Sequence, residues 1–305
     1  MKNSSTLRSG SPRSAKARRA RLRRLALDIA PPLAIKTIYQ LQRRLKGWPV
    51  EWQVLPGGFE QARRDAKIKG WNEPPVMEVY ARDLETTRRR LRAGIPIGLS
   101  ELDAPARFDE VFNHNLAQTW GWVLGRAAGQ SAELSVLDWG GALGHFFVWA
   151  QALRPDLKLD YTVKEMPLFA EQIERLLPEI NFCGDADAAF SRRYDLVLAS
   201  GSMHYEEDWR ALLAQLLGAA QKFAFITRLP MTNTGPAFVY VQRPYAYGYD
   251  TEYPSWCFNR DEFLAEVENC GWQIEREVVT GERIEIVGAP EVVQYRGYLL
   301  RPSQS

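Results

Sequence analysis

The chain has 305 residues, 46% of them hydrophobic and 25% charged, which suffices for one large domain with appendages or for two small ones. Three cysteines without paired spacing indicate a reducing compartment, and three histidines without H-x-x-x-H spacing speak against a metal site. No apolar run reaches the ~18–20 residues of a membrane span and no signal peptide is recognisable, so we expect a cytoplasmic protein.

Basic residues are concentrated at the start of the chain. Residues 1–46 carry 13 basic side chains and one acid, Asp28, whereas the remainder is net acidic. The first 20 residues are too polar to bury a core, and residues 17–46 predict basic helical segments. This leader could lie on the anionic inner face of a membrane, act as a solubilising arm that docks on the domain, or serve as a transit peptide. Because the basic run lacks interleaved aromatic residues, a nucleic-acid partner is disfavoured.

Residues 47–130 predict a helical cap region. One helix carries a regular stripe of residues on one face and ends at Gly94, and a second helix follows Pro105. The stripe of the first helix consists of Tyr80, Leu84, Thr87 and Leu91.

Residues 131–305 predict an α/β domain, because short apolar runs alternate with helical segments. Helices are expected near 144–153, 166–177, 206–220 and 260–270, with a short turn after Asp185. The last two strands lack a helix between them, which predicts a hairpin and hence an antiparallel last strand in an otherwise parallel sheet. The strands are expected near 134–138, 159–165, 180–183, 194–200, 222–228, 273–279 and 292–300.

The first of these strands ends in Asp138 and runs into a glycine-rich turn. The spacing fits D-x-G-x-[GA]-x-G, with Asp138, Gly140, Ala142 and Gly144 at the fixed positions. A dinucleotide would lay its pyrophosphate on such a turn, where a carboxylate at the strand tip would repel it. S-adenosylmethionine has no phosphate and presents an ammonium and a sulfonium, with which an anion is compatible. Since Ala142 replaces a glycine, we do not expect a positive φ there.

The run from Asp138 to Gly144 resembles motif I of the class I methyltransferases. Together with three later stretches, it makes the chain similar, over roughly residues 50–300, to a family of methyltransferases associated with bacterial surface-polysaccharide biosynthesis. The resemblance implies a Rossmann-like sheet, cap helices over the cleft, S-adenosylmethionine as cofactor, and a glycan or related lipid-linked or small-molecule acceptor. The later stretches are Val163–Pro167, Asp195–Ser200 and Tyr253–Phe258.

Cofactor-binding residues are expected at the carboxyl ends of the strands, where open α/β sheets bind ligands. Glu165 is expected to accept the ribose hydroxyls, or else to cap a helix. By resemblance, the acid of the Asp185-Ala186 loop accepts from the adenine amino group; Asp187 is a competitor and a helix cap the alternative. The full expected set is Asp138, Gly140, Gly141, Ala142, Gly144, Glu165, Asp185, Ala186 and Ser200.

Acceptor-side residues are expected after the fourth and fifth strands. His204 could act as a general base, with packing against Trp209 as the structural alternative and His145 as a competitor. Residues 231–258 are rich in aromatic side chains and predict a lid over the cleft, although half of these rings could instead form a satellite core. The expected acceptor-binding residues are Tyr205, Arg228, Arg243, Tyr253 and Trp256.

The sequence therefore predicts methyl transfer from S-adenosylmethionine to an acceptor oxygen. The fourth strand does not end in the Asn/Asp-Pro-Pro-Tyr/Phe motif of many amino-group methylators. Two alternatives stay open: an inactive binding protein on the same fold, which Ala142 would suit, and a nicotinamide-dependent oxidoreductase, which predicts no antiparallel last strand.

Overall fold

A computed structural model describes residue 47 and residues 49–94, 108–245 and 251–303. The chain divides into two units, Met1–Pro49 and Val50–Ser305. The basic leader, and with it the predicted membrane-binding segment 17–46, lies outside the described residues. Among the helices that are described, none is long and apolar enough to cross a bilayer.

Within the described residues, three helices and one short strand precede the central sheet. Strand β1 is Trp52–Val54, and the helices are α1 (Gly58–Arg64), α2 (Pro74–Arg92) and α3 (Phe108–Ala128). Helix α2 begins with prolines and is followed by Gly94 with φ +67°, the left-handed conformation that commonly ends helices. Helices α2 and α3 confirm the two that the sequence predicted, whereas α1 and β1 were not predicted.

The remainder alternates between strands and helices. Each strand of the central sheet lies within a few residues of its predicted position. The strands are β2 (Glu133–Trp139), β3 (Lys158–Lys164), β4 (Asn181–Cys183), β5 (Tyr194–Ser200), β6 (Ala220–Thr232), β9 (Trp272–Ile284) and β10 (Val293–Pro302). The helices are α4 (His145–Leu153), α5 (Ala170–Leu176), α6 (Ala186–Phe190), α7 (Trp209–Ala219) and α8 (Arg260–Asn269).

The order of the central sheet is β4-β3-β2-β5-β6-β10-β9. Strands β2 to β6 pair with one another in parallel. Strand β10 is antiparallel to both of its neighbours, β6 and β9. This is the Rossmann-like sheet of class I methyltransferases, mostly parallel with an antiparallel last strand, and it confirms the predicted fold class.

Residues 231–258, which the sequence predicted to form a lid, include strand segments that extend the sheet. They contain β7 (Phe238–Gln242) and β8 (Tyr253–Asn259), which pair antiparallel with each other, and β7 also pairs with β1. Strand β8 then continues beside the end of β6 at Met231 and Thr232. The insertion thus extends the sheet by a β1-β7-β8 row, a feature that the sequence reading missed.

The core lies on both faces of the sheet. Along β2 and β5, alternate residues point to opposite faces, so Val136 and Leu198 pack with α3 and α4 whereas Leu137 and Val197 pack with α7. Trp120 of α3 is fully buried, and its indole N–H donates to the carbonyl of Phe146 at 2.9 Å. The resulting three-layer arrangement leaves the carboxyl ends of β2 and β5 open beneath α2.

Candidate functional site

A cavity of about 200 Å³ lies at the carboxyl ends of β2 and β5. This is the switch point of the sheet, where the strand order reverses and where open α/β sheets bind ligands. Six of the residues expected from sequence line it: Asp138, Gly140, Gly141, Ala142, Ser200 and Arg228. Helix α2 closes another side with Tyr80, Asp83, Thr87, Arg90 and Leu91.

The turn after β2 requires glycine at three positions. Gly140 has φ +68°, and a Cβ there would lie 2.4 Å from the Cβ of Ser202. At Gly141 a Cβ would lie 2.5 Å from the carboxyl group of Asp138. Gly144, with φ +77°, is the N-cap residue of α4, but it does not line the cavity. The turn therefore brings backbone and the Asp138 carboxyl close together at the cavity wall.

Ala142 contradicts the sequence expectation. Its φ is +48°, in the left-handed region that costs an L residue on the order of 1–2 kcal/mol. The backbone N–H of Ala142 donates to Oε2 of Glu165 at 3.0 Å, and this contact holds the turn in place. The tertiary hydrogen bond thus overrides the local preference of alanine, at a cavity wall where such strain commonly occurs.

Asp138 is a buried carboxyl group, only 1% exposed. The hydroxyl of Tyr161 on β3 donates to its Oδ2 at 2.8 Å. Burial raises the pKa of Asp138 to about 7; the Tyr161 hydrogen bond opposes this rise and the nearby charge of Glu165 adds to it. An ionised Asp138 is therefore costly and would be stabilised by a cation. Tyr161 was missed from sequence, although a tyrosine inside an apolar strand signals the need for a buried partner.

Glu165 follows β3 and supports the turn. In addition to the bond from Ala142, its Oε1 accepts from the backbone N–H of Met166 at 2.9 Å. Burial raises the pKa of Glu165, and these two backbone hydrogen bonds lower it in part. Glu165 is not among the residues that line the cavity. Its role toward a ribose stays a prediction, since each oxygen keeps a lone pair for a further donor.

Asp185 takes the role of a helix cap. Its Oδ1 accepts from the backbone N–H of Ala188 at 2.8 Å, and α6 begins at the next residue, Ala186. This is the alternative that the sequence left open. Neither Asp185 nor Ala186 lines the cavity, so their contact with an adenine stays a prediction.

A second cavity, of about 320 Å³, adjoins the first. Tyr80, Asn113 and Arg228 line both cavities, so the two spaces share a wall. Besides Arg228, three expected acceptor-side residues are in the lining of the second cavity: His204, Tyr205 and Tyr253. Further lining residues were not expected from sequence, because they come from distant segments: Trp52, Trp71, Phe112, Gln242 and Tyr295.

Burial makes the side chain of His204 a weak base. It is 1% exposed, and burial, helped by the charge of Arg228, lowers its pKa to about 3. The ring lies against Tyr205, with the centroids 4.1 Å apart, and neither ring nitrogen has a hydrogen-bond partner within the described residues. The imidazole is therefore neutral at pH 7. Its predicted role as a general base is untested, and burial of the ring disfavours it.

Arg228 stands at the border of the two cavities. Its φ is +57°, and its guanidinium carbon lies 5.5 Å from the centroid of the Phe112 ring. A second left-handed residue other than glycine thus occurs at the site, and it carries a positive charge into the shared wall. Arginine has no preference for this conformation, so no pattern in the sequence could have indicated it.

Arg243 and Trp256, expected on the acceptor side, are in the lining of neither cavity, and their contact with an acceptor stays a prediction. Arg243 forms an ion pair with Glu252, with Nε 3.0 Å from Oε2, and also donates to the carbonyl of Val50 at 2.9 Å. The indole N–H of Trp256 donates to the carbonyl of Glu207 at 3.0 Å. Both side chains hold the β1-β7-β8 row to its surroundings, because their polar groups are engaged by protein atoms.

His145, the competitor for the base, lines the first cavity and pairs with Asp83 of α2. The His145 Nε2 lies 3.3 Å from Oδ2 of Asp83, and this contact lowers the pKa of Asp83. The predicted stripe of α2 faces the cavity in part, with Tyr80, Thr87 and Leu91 in the lining. Within the described residues there is no cluster of histidine, cysteine, aspartate and glutamate that could hold a metal ion.

No model of a known protein family matches the sequence, and no curated protein matches it. Among solved structures, 1,6-didemethyltoxoflavin-N1-methyltransferase from Burkholderia thailandensis is 15% identical, with a TM-score of 0.44 over 79% of this chain and 98% of that one. Magnesium protoporphyrin IX methyltransferase from Synechocystis PCC 6803 is 15% identical, with a TM-score of 0.43 over 74% and 100%. A methyltransferase from Clostridium acetobutylicum is 10% identical, with a TM-score of 0.45 over 74% and 99%. Identities this low concern the fold alone.

Proposed function

We propose that this protein is an S-adenosylmethionine-dependent methyltransferase that methylates an oxygen atom of a small-molecule acceptor. The observation that carries the proposal is the buried Asp138 carboxyl in the wall of a cavity at the switch point of the sheet. A buried carboxyl with a raised pKa favours a cationic ligand over a phosphate, because the charge of the cation offsets the free-energy cost of ionising the buried carboxyl.

The residues of the first cavity fit the proposed cofactor. Asp138 would receive its ammonium group, and Oγ of Ser200 is buried in the lining without a hydrogen-bond partner among the described residues. Glu165 and Asp185 would hold the ribose and the adenine. When bound, the cofactor supplies a methyl group activated by a sulfonium.

Alignment is the main contribution that the chain itself would make. The two cavities meet at Tyr80, Asn113 and Arg228, so ligands in both would come together at this shared wall. Holding two reactants in line can supply up to roughly 7–11 kcal/mol of the barrier. His204, neutral and buried, would contribute little as a base. A glycan acceptor, which the family resemblance implied, and peripheral membrane binding through residues 17–46 remain proposals.

The antiparallel β10 argues against the nicotinamide-dependent alternative, because that class predicts a parallel last strand. The carboxyl groups of Asp138 and Glu165 also lie at the turn on which a pyrophosphate would rest. The inactive-protein alternative is compatible with the same structure and is decided by the experiments below.

Calorimetric titration with S-adenosylhomocysteine and with NADH tests the cofactor. We expect S-adenosylhomocysteine to bind and NADH not to bind. Asp138→Asn should weaken S-adenosylhomocysteine at least tenfold, since a hydrogen bond to a charged group contributes about 1.5–3 kcal/mol. Asp156→Asn, which alters an exposed carboxylate paired with Arg154, is the matched control and should bind as the wild type does. Binding of NADH alone would overturn the proposal.

Transfer itself is tested with methyl-labelled S-adenosylmethionine and a small-molecule extract of the source organism. We expect label in an extract component, which mass spectrometry should find fourteen daltons heavier, the mass of one CH₂. Binding of S-adenosylhomocysteine without any transfer, over a range of extracts, would favour the inactive binding protein.

A further inference from the structure

We propose that the second cavity binds a planar ring compound that carries a negatively charged oxygen, with that oxygen directed to Arg228 as the methyl acceptor. This inference rests on the methyltransferase function proposed above and narrows its acceptor. The proposed acceptor is a single ring compound, such as an aromatic carboxylate or an acidic phenol, and not an extended glycan.

The first support is an aromatic wall formed by Trp71, Tyr205 and Tyr253. Trp71 and Tyr253 are stacked, with centroids 4.2 Å apart and planes 24° apart. Tyr205 stands edge-on to both, at 5.1 Å from Trp71 and 5.2 Å from Tyr253. All three residues line the second cavity. Rings that hold one another in this way present a rigid apolar surface, which suits a flat ligand.

The second support is the charge of the lining. Among the described residues that line the second cavity, Arg228 is the one charged at neutral pH, and none is acidic. Trp52 adds an indole N–H that is buried without a hydrogen-bond partner in the described part of the chain. An indole nitrogen can only donate. Both groups therefore favour an acceptor of hydrogen bonds with negative charge.

The third support is that the described lining of the second cavity holds no residue placed to remove a proton. His204 is enclosed against Tyr205, and the other polar side chains of the lining include the amides Asn113 and Gln242, which are not bases. An oxygen that arrives ionised needs no base. It forms a bond to the methyl carbon, the sulfur keeps the electron pair of the broken carbon–sulfur bond, and no proton is released.

The size of the space agrees with this choice. A cavity of about 320 Å³ is at the lower end of the range for sites that enclose small ligands. It accommodates one substituted ring and does not enclose a saccharide chain.

The experiment compares three probes by ligand-observed NMR titration of the full-length protein, with and without S-adenosylhomocysteine. Benzoate is planar and anionic, benzamide is planar and neutral, and glucuronate is anionic but not planar. We expect benzoate to bind at least tenfold more tightly than either of the others. Arg228→Gln should reduce the preference for benzoate over benzamide to less than twofold, whereas Arg210→Gln, which changes an exposed arginine, should leave it unchanged.

Equal or tighter binding of benzamide or glucuronate would overturn the inference. The comparison of the three probes in the wild type tests the inferred acceptor class even if Arg228→Gln does not fold. Binding of S-adenosylhomocysteine to the same samples is measured separately. If the wild type does not bind it, the proposed cofactor is refuted. If the wild type binds it but does not prefer benzoate, only the proposed class of acceptor is refuted.

Discussion

Asp138 makes cofactor binding depend on pH. Because its pKa is about 7, a cationic ligand, which requires the ionised form, binds with release of a proton near neutrality. An amino group with an ordinary pKa of about 7.7–8.0 stays mostly protonated below this range. We therefore expect S-adenosylhomocysteine to bind about fivefold more weakly at pH 6 than at pH 7. Calorimetry at the two pH values measures this, and an unchanged affinity would contradict it.

The same carboxyl group affects the stability of the folded protein. Because the folded-state pKa of Asp138 is raised from its ordinary value of 3.8 to about 7, its contribution to stability is complete below pH 4 and is lost as the pH rises through 7. Asp138→Asn should remove this loss. We expect the variant to be more stable than the wild type at pH 8, by up to about 4 kcal/mol, and to lose that advantage at pH 4. Urea denaturation at both pH values gives the difference; a variant less stable at pH 8 would contradict it.

Ala142 stores strain that glycine would relieve. A left-handed alanine costs on the order of 1–2 kcal/mol, which replacement by glycine would remove. Part of that gain in stability is offset because glycine has greater freedom in the unfolded chain. We expect Ala142→Gly to stabilise the protein by roughly 0.5–1 kcal/mol, measured by urea denaturation. Ala214→Gly is the matched control on the exposed face of α7, where glycine should destabilise by about 1 kcal/mol. Equal losses in both variants would show that Ala142 is not strained.

At the scale of single residues, sequence patterns predicted which residues share a cavity wall better than they predicted the backbone conformation of those residues. The motif spacing located Asp138, Gly140, Gly141 and Ala142 at one cavity wall. The left-handed backbone at Ala142 and Arg228 could not be predicted, because it depends on contacts made by tertiary neighbours and opposes the preference of both residue types.

At the scale of helices and strands, the central sheet was predictable because its strands are short apolar runs between helices. The antiparallel β10 followed from a missing helix between the last two strands. Strands β1, β7 and β8 were missed, since their partners lie far apart in the chain: Trp52 pairs with Gln242, and Phe238 pairs with Cys257. Pairing of this kind leaves no local pattern.

The ion pair between Arg243 and Glu252 holds the β1-β7-β8 row together. Their side chains are 16% and 4% exposed, so removal of the arginine leaves a buried carboxylate. We expect Arg243→Gln to destabilise the protein by about 3 kcal/mol, with more than half recovered in the double variant with Glu252→Gln. Lys158→Gln, which breaks an exposed pair with Glu133, should cost less than about 1 kcal/mol. Denaturant titration measures all of these changes.

Affinity for S-adenosylhomocysteine separates a structural Arg243 from a ligand-binding one. Because Arg243 is in the lining of neither cavity, the single variant should bind the ligand as the wild type does under conditions where it is folded. A tenfold loss of affinity in a folded variant would assign Arg243 to the cofactor, a role different from the acceptor-side role expected from sequence.

At the scale of the molecule, the compact unit from Val50 to Ser305 contains both cavities. Helix α2 contributes Tyr80 to each of them, which links the predicted cap region to the sheet. The position of the site could be predicted from the sheet order, whereas its second cavity could not, because Tyr295 lies more than 200 residues along the chain from Trp52 and Trp71.

A crystal structure of the protein soaked with S-adenosylhomocysteine tests the central claim most directly. We expect the amino-acid end of the ligand in the first cavity, with its ammonium group within hydrogen-bonding distance of Asp138 and its ribose beside Glu165. A ligand bound elsewhere, or a phosphate-containing nucleotide seated against Gly140 and Gly141 in its place, would contradict the account.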